Sequence, residues 1–207
     1  MIRIGILVSG RGSNMEAIID ACKEGRIDGE VVVVLSDRPD APALEKAKRK
    51  GIPAMYVPPG KKRYSLVGEA EEEYIRILRE YRVDLVCLAG FMRIIKRRFL
   101  SEFEGRIMNI HPSLLPSFPG LEAQRQAWEY GVRFSGCTVH FVDETVDGGP
   151  IILQAVVPVF DDDTPESLAE RILKEEHRIY PEAIQLFAEG RLRIEGRKVK
   201  ILPGGEG

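Results

Sequence analysis

Two polar side chains stand two residues apart just before a proline-rich stretch of this chain. Asn109 and His111 begin the segment Asn-Ile-His-Pro-Ser-Leu-Leu-Pro-Ser-Phe-Pro-Gly, residues 109–120. In an extended strand, residues i and i+2 point to the same side, so the amide and the imidazole would face one point. An amide donor beside a titratable ring suits a carbonyl oxygen that gains negative charge in a reaction. Because the prolines fix φ, we expect a rigid loop that holds these groups in place.

An acidic residue in a later turn is a candidate partner for the histidine. Asp147 directly precedes Gly148-Gly149-Pro150. A carboxylate close to His111 would favour the charged imidazolium, which can donate to an oxyanion and supply a proton. The structural alternatives are that His111 braces the proline-rich turn through a backbone hydrogen bond and that Asp147 accepts local turn donors. The pattern alone leaves both interpretations open.

A glycine-rich loop joins the first apolar run to the first helical pattern, with the sequence Ser9-Gly10-Arg11-Gly12-Ser13-Asn14. Glycines let a ligand come close to the backbone, and a helix N-terminus offers unpaired N–H groups with a positive dipole end. Together these features predict a phosphate site at Gly12, Ser13 and Asn14.

Two other interpretations of the glycine loop stay open. Gly10 and Gly12 match the first glycines of a dinucleotide fingerprint, although Met15 occupies the place of the third, and Asp37 could act as the ribose-binding acid. The loop could also be a plain glycine turn with Ser13 as the N-cap of the helix.

The first half of the chain alternates strand and helix patterns, which indicates βαβ units in a mostly parallel sheet with helices on both faces. Predicted strands cover 2–8, 31–35, 54–57, 85–89 and 106–110, and predicted helices cover 14–23, 43–50 and 69–81. Sites in such sheets lie beyond the carboxyl ends of the strands. We therefore expect Ser9, Gly90 and His111 along one edge.

The second half has a different pattern. Strands at 135–142 and 151–159 flank a turn-rich loop and predict an antiparallel extension of the sheet. A long helix follows at 164–188, which Pro181 should kink or divide, and a hairpin around Gly196 ends the pattern. The fold class is thus α/β and Rossmann-like. We expect a single domain over 1–207, with a phosphate-binding half at 1–105 and a catalytic half at 106–207.

Composition narrows the classes of function. The 30 Lys+Arg nearly balance the 32 Asp+Glu, which argues against nucleic-acid binding through a basic face. Three scattered cysteines favour neither a disulfide framework nor a zinc site, and a reducing cytoplasm is expected. No apolar run approaches the roughly 20 residues of a membrane span.

Five motifs combine into one known pattern. They are Gly10-Arg11-Gly12-Ser13-Asn14, Leu88-Ala89-Gly90-Phe91-Met92-Arg93, Asn109-Ile110-His111-Pro112-Ser113-Leu114-Leu115-Pro116, Asp147-Gly148-Gly149-Pro150, and Glu176-His177 followed by Tyr180-Pro181. Together they resemble the folate-dependent phosphoribosylglycinamide formyltransferases. The resemblance extends from Ile2 to about Leu202 and implies the formyltransferase fold.

The resemblance implies that the amine of glycinamide ribonucleotide attacks the formyl carbon of 10-formyltetrahydrofolate, in de novo purine (IMP) biosynthesis. By position, the implied catalytic residues are Asn109, His111 and Asp147. The implied ribonucleotide-binding residues are Gly12, Ser13, Asn14 and Glu176. The implied folate-binding residues are Met92, Arg93, Ile94 and Ile95, largely through backbone groups, with Asn109, Asp143, Glu144, Thr145, Val146 and Asp147.

The expected co-substrate is 10-formyltetrahydrofolate, and no metal is expected because no His/Cys/Asp grouping has ligand spacing. The expected partners are small molecules, without nucleic acid or membrane, and the expected assembly is a monomer or homodimer.

Three rival functions remain. One is a 10-formyltetrahydrofolate hydrolase, although the chain lacks the extra N-terminal domain that such enzymes resemble. Another is an aminoacyl-tRNA formyltransferase, which would need a further C-terminal domain. The third is a non-catalytic dinucleotide-binding module.

Overall fold

The computed structural model describes residues 1–205 of the chain. The strands are β1 (Ile2–Val8), β2 (Gly29–Ser36), β3 (Ala54–Tyr56), β4 (Ser65–Leu66), β5 (Leu85–Leu88), β6 (Ile94–Ile95), β7 (Ile107–His111), β8 (Phe134–Phe141), β9 (Ile151–Pro158), β10 (Leu192–Glu195) and β11 (Lys198–Ile201). The helices are α1 (Ser13–Lys23), α2 (Pro42–Arg49), α3 (Gly68–Glu80), α4 (Arg97–Glu102), α5 (Ala123–Tyr130) and α6 (Pro165–Ala188).

The chain divides into two compact units, the first from Met1 to Asn109 and the second from Ile110 onward. Each is described by itself. The expectation of a single domain whose halves meet at residues 105 and 106 stays a prediction.

The first unit is built on a parallel sheet with the strand order β3-β2-β1-β5-β7. Strand β1 lies between β2 and β5, where Ile4 pairs with both Val31 and Leu85. Consecutive residues are buried along β1, β2 and β5, so both faces of these strands are covered. The parallel arrangement predicted from the alternation of strands and helices is confirmed.

The helices of the first unit bury the apolar faces that their spacing predicts. In α1 these residues are Met15, Ile18 and Ile19, and in α3 they include Tyr74 and Leu78. Because each strand is followed by a loop at its carboxyl end, the loops after β1 and β5 come together at one edge of the sheet. The N–H of Ser9 donates to the carbonyl of Gly90 at 3.0 Å, as the predicted edge requires.

The second unit contains the predicted antiparallel strands. Strands β8 and β9 pair from Phe134 and Pro158 at one end to His140 and Ile151 at the other. Helix α6 packs against both strands. Its first turn has a capping box in which Thr164 and Ser167 each accept a backbone N–H from the other. Strands β10 and β11 form the predicted hairpin.

Some details differ from the sequence analysis. Helix α6 runs unbroken through Pro181, so the predicted division is wrong. An internal proline costs about 3 kcal/mol, but the neighbouring side chains of Tyr180, Ala183 and Ile184 are buried, and this apolar burial offsets the cost. The short elements β4, β6, α4 and α5 are not among those predicted from the sequence. No helix within residues 1–205 combines the length and apolar character that a membrane span requires.

Candidate active site

The predicted phosphate loop surrounds a small cavity in the first unit. This cavity has a volume of about 160 Å³. Its walls are Gly10, Arg11, Gly12, Ser13, Asn14, Ala89 and Gly90. The structure therefore brings together the three residues predicted to hold a phosphate, at the start of α1. The N–H groups at a helix N-terminus and the helix dipole favour an anion at such a position.

Gly12 is needed at this site for both its conformation and its size. It is the N-cap of α1, with φ +79°, and no side chain caps this end of the helix. A Cβ atom on Gly12 would lie 2.7 Å from Cβ of Ala43, near the start of α2. The alternative in which Ser13 is a plain N-cap is wrong, because Ser13 is the first helical residue.

A buried ion pair lies directly beside the glycine loop. Arg93 Nε donates to Asp37 Oδ2 at 3.0 Å, and Ser9 Oγ donates to Asp37 Oδ1 at 2.6 Å. The side chain of Asp37 is only 3% exposed. Both carboxylate oxygens of Asp37 already accept hydrogen bonds from the protein. This arrangement argues against Asp37 as the ribose-binding acid of a dinucleotide site.

The segment 92–95, predicted to line a folate slot, already uses part of its hydrogen-bonding capacity. The N–H of Met92 donates to Ser9 Oγ at 2.9 Å, and the N–H of Ile94 donates to the carbonyl of Tyr64 at 2.7 Å. The guanidinium of Arg93 also donates to two backbone carbonyls of the loop before β4. The side chain of Arg93 therefore has a structural task, and folate contacts by this residue would fall to its backbone.

Strand β7 carries both the predicted amide and the predicted imidazole. Asn109 and His111 are alternate residues of this strand, so their side chains project from the same side of it. Asn109 is half-buried and His111 is buried. The expected shared side of Asn109 and His111 is therefore a consequence of the strand conformation.

His111 has an acceptor facing each ring nitrogen. Nε2 lies 2.9 Å from the carbonyl oxygen of Phe118, and Nδ1 lies 3.6 Å from Asp147 Oδ1. The second distance is that of an ion pair and is longer than a hydrogen bond. The carbonyl oxygen of Phe118 can only accept, so Nε2 is the ring nitrogen that donates in this contact. The predicted pairing with Asp147 is present together with the bracing of the proline-rich turn.

Asp147 occupies a turn that holds its carboxylate in place. Its φ is +53°, a left-handed conformation that aspartate tolerates better than most residues. Its Oδ2 accepts the N–H of Gly120 at 2.8 Å. Within the same loop, Asp143 Oδ1 accepts the N–H of Thr145 at 2.8 Å, and Glu144 and Val146 are exposed. The folate-binding role of residues 143–147 stays a prediction.

Glu176 is buried on α6, close to strand β8. Burial raises the pKa of the Cys137 thiol on β8 to about 12, and the negative charge of Glu176 adds to this effect. His140 on the same strand is also buried, and its Nδ1 lies 2.9 Å from the carbonyl oxygen of Phe141. Burial lowers the pKa of His140, which disfavours the charged imidazole at this position.

Within residues 1–205, no cluster of three or more His, Cys, Asp or Glu side chains could hold a metal ion.

Comparison with known proteins places the chain in a family. The family model described as formyl transferase matches residues 2–184. The chain belongs to the formyl transferase family. It is 45% identical over 200 residues to a phosphoribosylglycinamide formyltransferase from Escherichia coli, covering 93% of this chain and 90% of that protein. The resemblance inferred from the five motifs is thus confirmed.

Solved structures of formyltransferases and a deformylase have a fold similar to that of this formyl transferase. A glycinamide ribonucleotide transformylase from Symbiobacterium toebii is 60% identical, with a TM-score of 0.94, covering 98% of this chain and 95% of that one. A formyltetrahydrofolate deformylase from Pseudomonas syringae is more distant, at 26% identity and a TM-score of 0.89, covering 98% of this chain and 66% of that one. The predicted fold class is confirmed.

Some relatives are much longer than this formyl transferase. The trifunctional purine biosynthetic protein adenosine-3 of Gallus gallus is 46% identical over 193 residues. The match covers 93% of this chain but only 19% of that protein, so the chain spans about a fifth of its length.

Proposed function

We propose that this formyl transferase moves the formyl group of 10-formyltetrahydrofolate to the amine of glycinamide ribonucleotide. The products are formylglycinamide ribonucleotide and tetrahydrofolate, in de novo purine (IMP) biosynthesis. The observation that carries the proposal is the pairing of His111 with Asp147, in a chain that belongs to the formyl transferase family. The bacterial relatives named for this reaction match nearly the whole chain.

The catalytic roles follow from where charge develops in the reaction. The amine nitrogen attacks the formyl carbon and forms a C–N bond, which makes a tetrahedral oxyanion. Asn109 and Nε2 of His111 donate to that oxygen, while the carboxylate of Asp147 faces Nδ1 of the ring. The C–N bond to folate N10 then breaks, and the proton lost by the amine reaches N10.

The contact between His111 and Phe118 fits this scheme as a resting arrangement. Nε2 points at a neutral carbonyl oxygen, 2.9 Å away. An oxyanion is a stronger acceptor than a carbonyl, because hydrogen bonds to charged groups are roughly twice as strong as neutral ones. Transfer of the Nε2 hydrogen bond from Phe118 to the substrate oxygen therefore favours the transition state over the resting state.

The substrate-binding roles are assigned to two groups of residues. Gly12, Ser13 and Asn14 hold the ribonucleotide 5′-phosphate in the cavity at the start of α1, and Glu176 orients the glycinamide end. The folate is held by Met92, Arg93, Ile94 and Ile95, by Asn109, and by the loop from Asp143 to Asp147.

The remaining properties belong to the same proposal. The co-substrate is 10-formyltetrahydrofolate, and the chain's own residues supply the reaction's hydrogen-bond donors without a metal. The enzyme works on small molecules in the cytoplasm, as a monomer or homodimer, without nucleic acid or a membrane. The near balance of 30 basic and 32 acidic residues supports the exclusion of nucleic acid.

The proposal is tested by measuring absorbance-monitored turnover of the formyl folate in the wild type, Asn109→Ala and His111→Ala. Loss of one oxyanion donor typically lowers turnover about 10²–10³-fold. Circular dichroism should show that both variants remain folded. A variant that is folded and keeps more than about a third of wild-type turnover would contradict its catalytic role, since this loss is far below the range for such donors.

A formyltetrahydrofolate hydrolase is the second candidate, because a deformylase is among the structural neighbours. The same assay separates the two reactions. A transferase turns over the formyl folate only when glycinamide ribonucleotide is present, whereas a hydrolase does so without it.

A further inference from the structure

The hairpin at the end of the described chain contacts the loop that contains Asp147. Arg197 lies in the turn between β10 and β11, next to Gly196. Its guanidinium donates to the carbonyl of Gly148 and, at 2.7 Å, to the carbonyl of Gly149. These two carbonyls directly follow Asp147 in the chain, although about 50 residues separate them from Arg197.

We propose that Arg197 is a positioning residue, which holds the loop at 143–149 so that the carboxylate of Asp147 stays against His111. This inference rests on the proposed function, because it takes Asp147 as a partner of the catalytic histidine. It assigns the terminal hairpin a task in catalysis.

The guanidinium is well suited to fixing a loop by its backbone. Its N–H groups form a planar fork, so two donors bound to successive carbonyls set both the position and the orientation of the peptide. Within the loop, the N–H of Thr145 donates to Asp143 and the N–H of Gly148 donates to Thr145, and from outside it the N–H of Gly120 donates to Asp147. Arg197 adds an anchor from a distant part of the chain.

The anchored loop has little room to adapt. A Cβ atom on Gly149 would overlap the carbonyl oxygen of Phe141, so this backbone passes against the end of β8. Asp147 is held in a left-handed conformation one residue before the first anchored carbonyl. Such a conformation persists only when the surroundings fix it. Arg197 is part of those surroundings.

The effect on catalysis follows from the distance between Asp147 and His111. Nδ1 and Oδ1 are 3.6 Å apart, so a small movement of the loop separates them. Misplacement of a group by about 1 Å can cost 10²-fold in rate. Because the same loop is assigned to folate binding, the KM for the formyl folate should rise as well. The KM for the ribonucleotide should change little, since its phosphate is assigned to the glycine loop.

The test compares Arg197→Ala with the control Arg193→Ala on the same hairpin. The exposed Arg193 contacts Glu195 within its own strand, so its removal takes away the same charge but no anchor. We expect kcat/KM for the formyl folate to fall about 10–100-fold in Arg197→Ala and to stay near the wild-type value in Arg193→Ala. Arg197→Lys should lie between them, because a lysine keeps the charge without the planar fork.

Amide hydrogen exchange of residues 143–149 gives a second measurement that needs no activity. Exchange should be faster in Arg197→Ala than in both the wild type and Arg193→Ala. Unchanged exchange, or unchanged kinetics in Arg197→Ala, overturns the inference. If the wild type itself shows no transfer, the proposed function fails, and the exchange data still decide whether Arg197 anchors the loop.

Discussion

Substitution of Gly12 by alanine should disturb the phosphate loop by a predictable amount. Gly12 has φ +79°, a region that costs an alanine about 1–2 kcal/mol. The new Cβ would also lie 2.7 Å from Cβ of Ala43 and 3.0 Å from Cε of Met15. Overpacking of this kind typically costs about 1–3 kcal/mol. The free energy of unfolding should therefore fall by about 2–5 kcal/mol in Gly12→Ala.

Gly25 provides a matched control for the conformational part of this cost. Its φ is +78°, nearly that of Gly12, but a Cβ atom on Gly25 would meet no heavy atom within 4 Å. Gly25→Ala should therefore lose only the conformational part, about 1–2 kcal/mol. The difference between the two variants isolates the close packing between the glycine loop and α2.

Chemical denaturation followed by circular dichroism measures the stability of both variants, and steady-state kinetics measures their substrate binding. The KM for the ribonucleotide should rise in Gly12→Ala and stay near the wild-type value in Gly25→Ala. Equal losses of stability in the two variants would refute the packing argument. An unchanged ribonucleotide KM in a folded Gly12→Ala enzyme would refute the assignment of the phosphate to this loop.

Two further predictions concern buried ion pairs. Asp37→Ala leaves the guanidinium of Arg93 without its carboxylate and should lower the free energy of unfolding by about 3 kcal/mol in denaturant titrations; a loss comparable to that of a surface substitution would contradict this pairing. The hydrogen bond from Arg171 holds the pKa of Asp163 well below its usual range, so the folded state binds fewer protons than the unfolded one and this stabilisation is lost as pH falls below about 4. Asp163→Asn should therefore flatten the acid dependence of stability below that pH, and an unchanged slope would exclude the contribution.

The parts of the fold that the sequence predicts are those determined by local patterns. The mostly apolar run from Ile2 to Val8 has the observed bounds of β1, and the helical spacing of Met15, Ile18 and Ile19 gives the buried face of α1. Such patterns can be read from the sequence because apolar residues recur with the period of the buried face of a helix or strand. The two-residue strands β4 and β6 are too short to show a period.

In the candidate site as well, the sequence predicts the features that depend on local pattern and misses the long-range contacts. The spacing of Asn109 and His111 predicts their shared side of β7, because alternation is a property of any strand. The bond from Arg93 to Asp37 and the bonds from Arg197 to the glycines after Asp147 join residues about 50 positions apart. Nothing in the sequence pairs Arg93 with Asp37 or Arg197 with the two glycines, so only the folded chain reveals these partners.

The fate of the formyl carbon tests the central claim most directly. Nuclear magnetic resonance can follow 10-formyltetrahydrofolate labelled with carbon-13 in the formyl group, incubated with the enzyme and glycinamide ribonucleotide. The account predicts that the label appears in the formamide of the ribonucleotide and that it stays on the folate when the ribonucleotide is left out. Accumulation of labelled formate at the same rate with and without the ribonucleotide would contradict it.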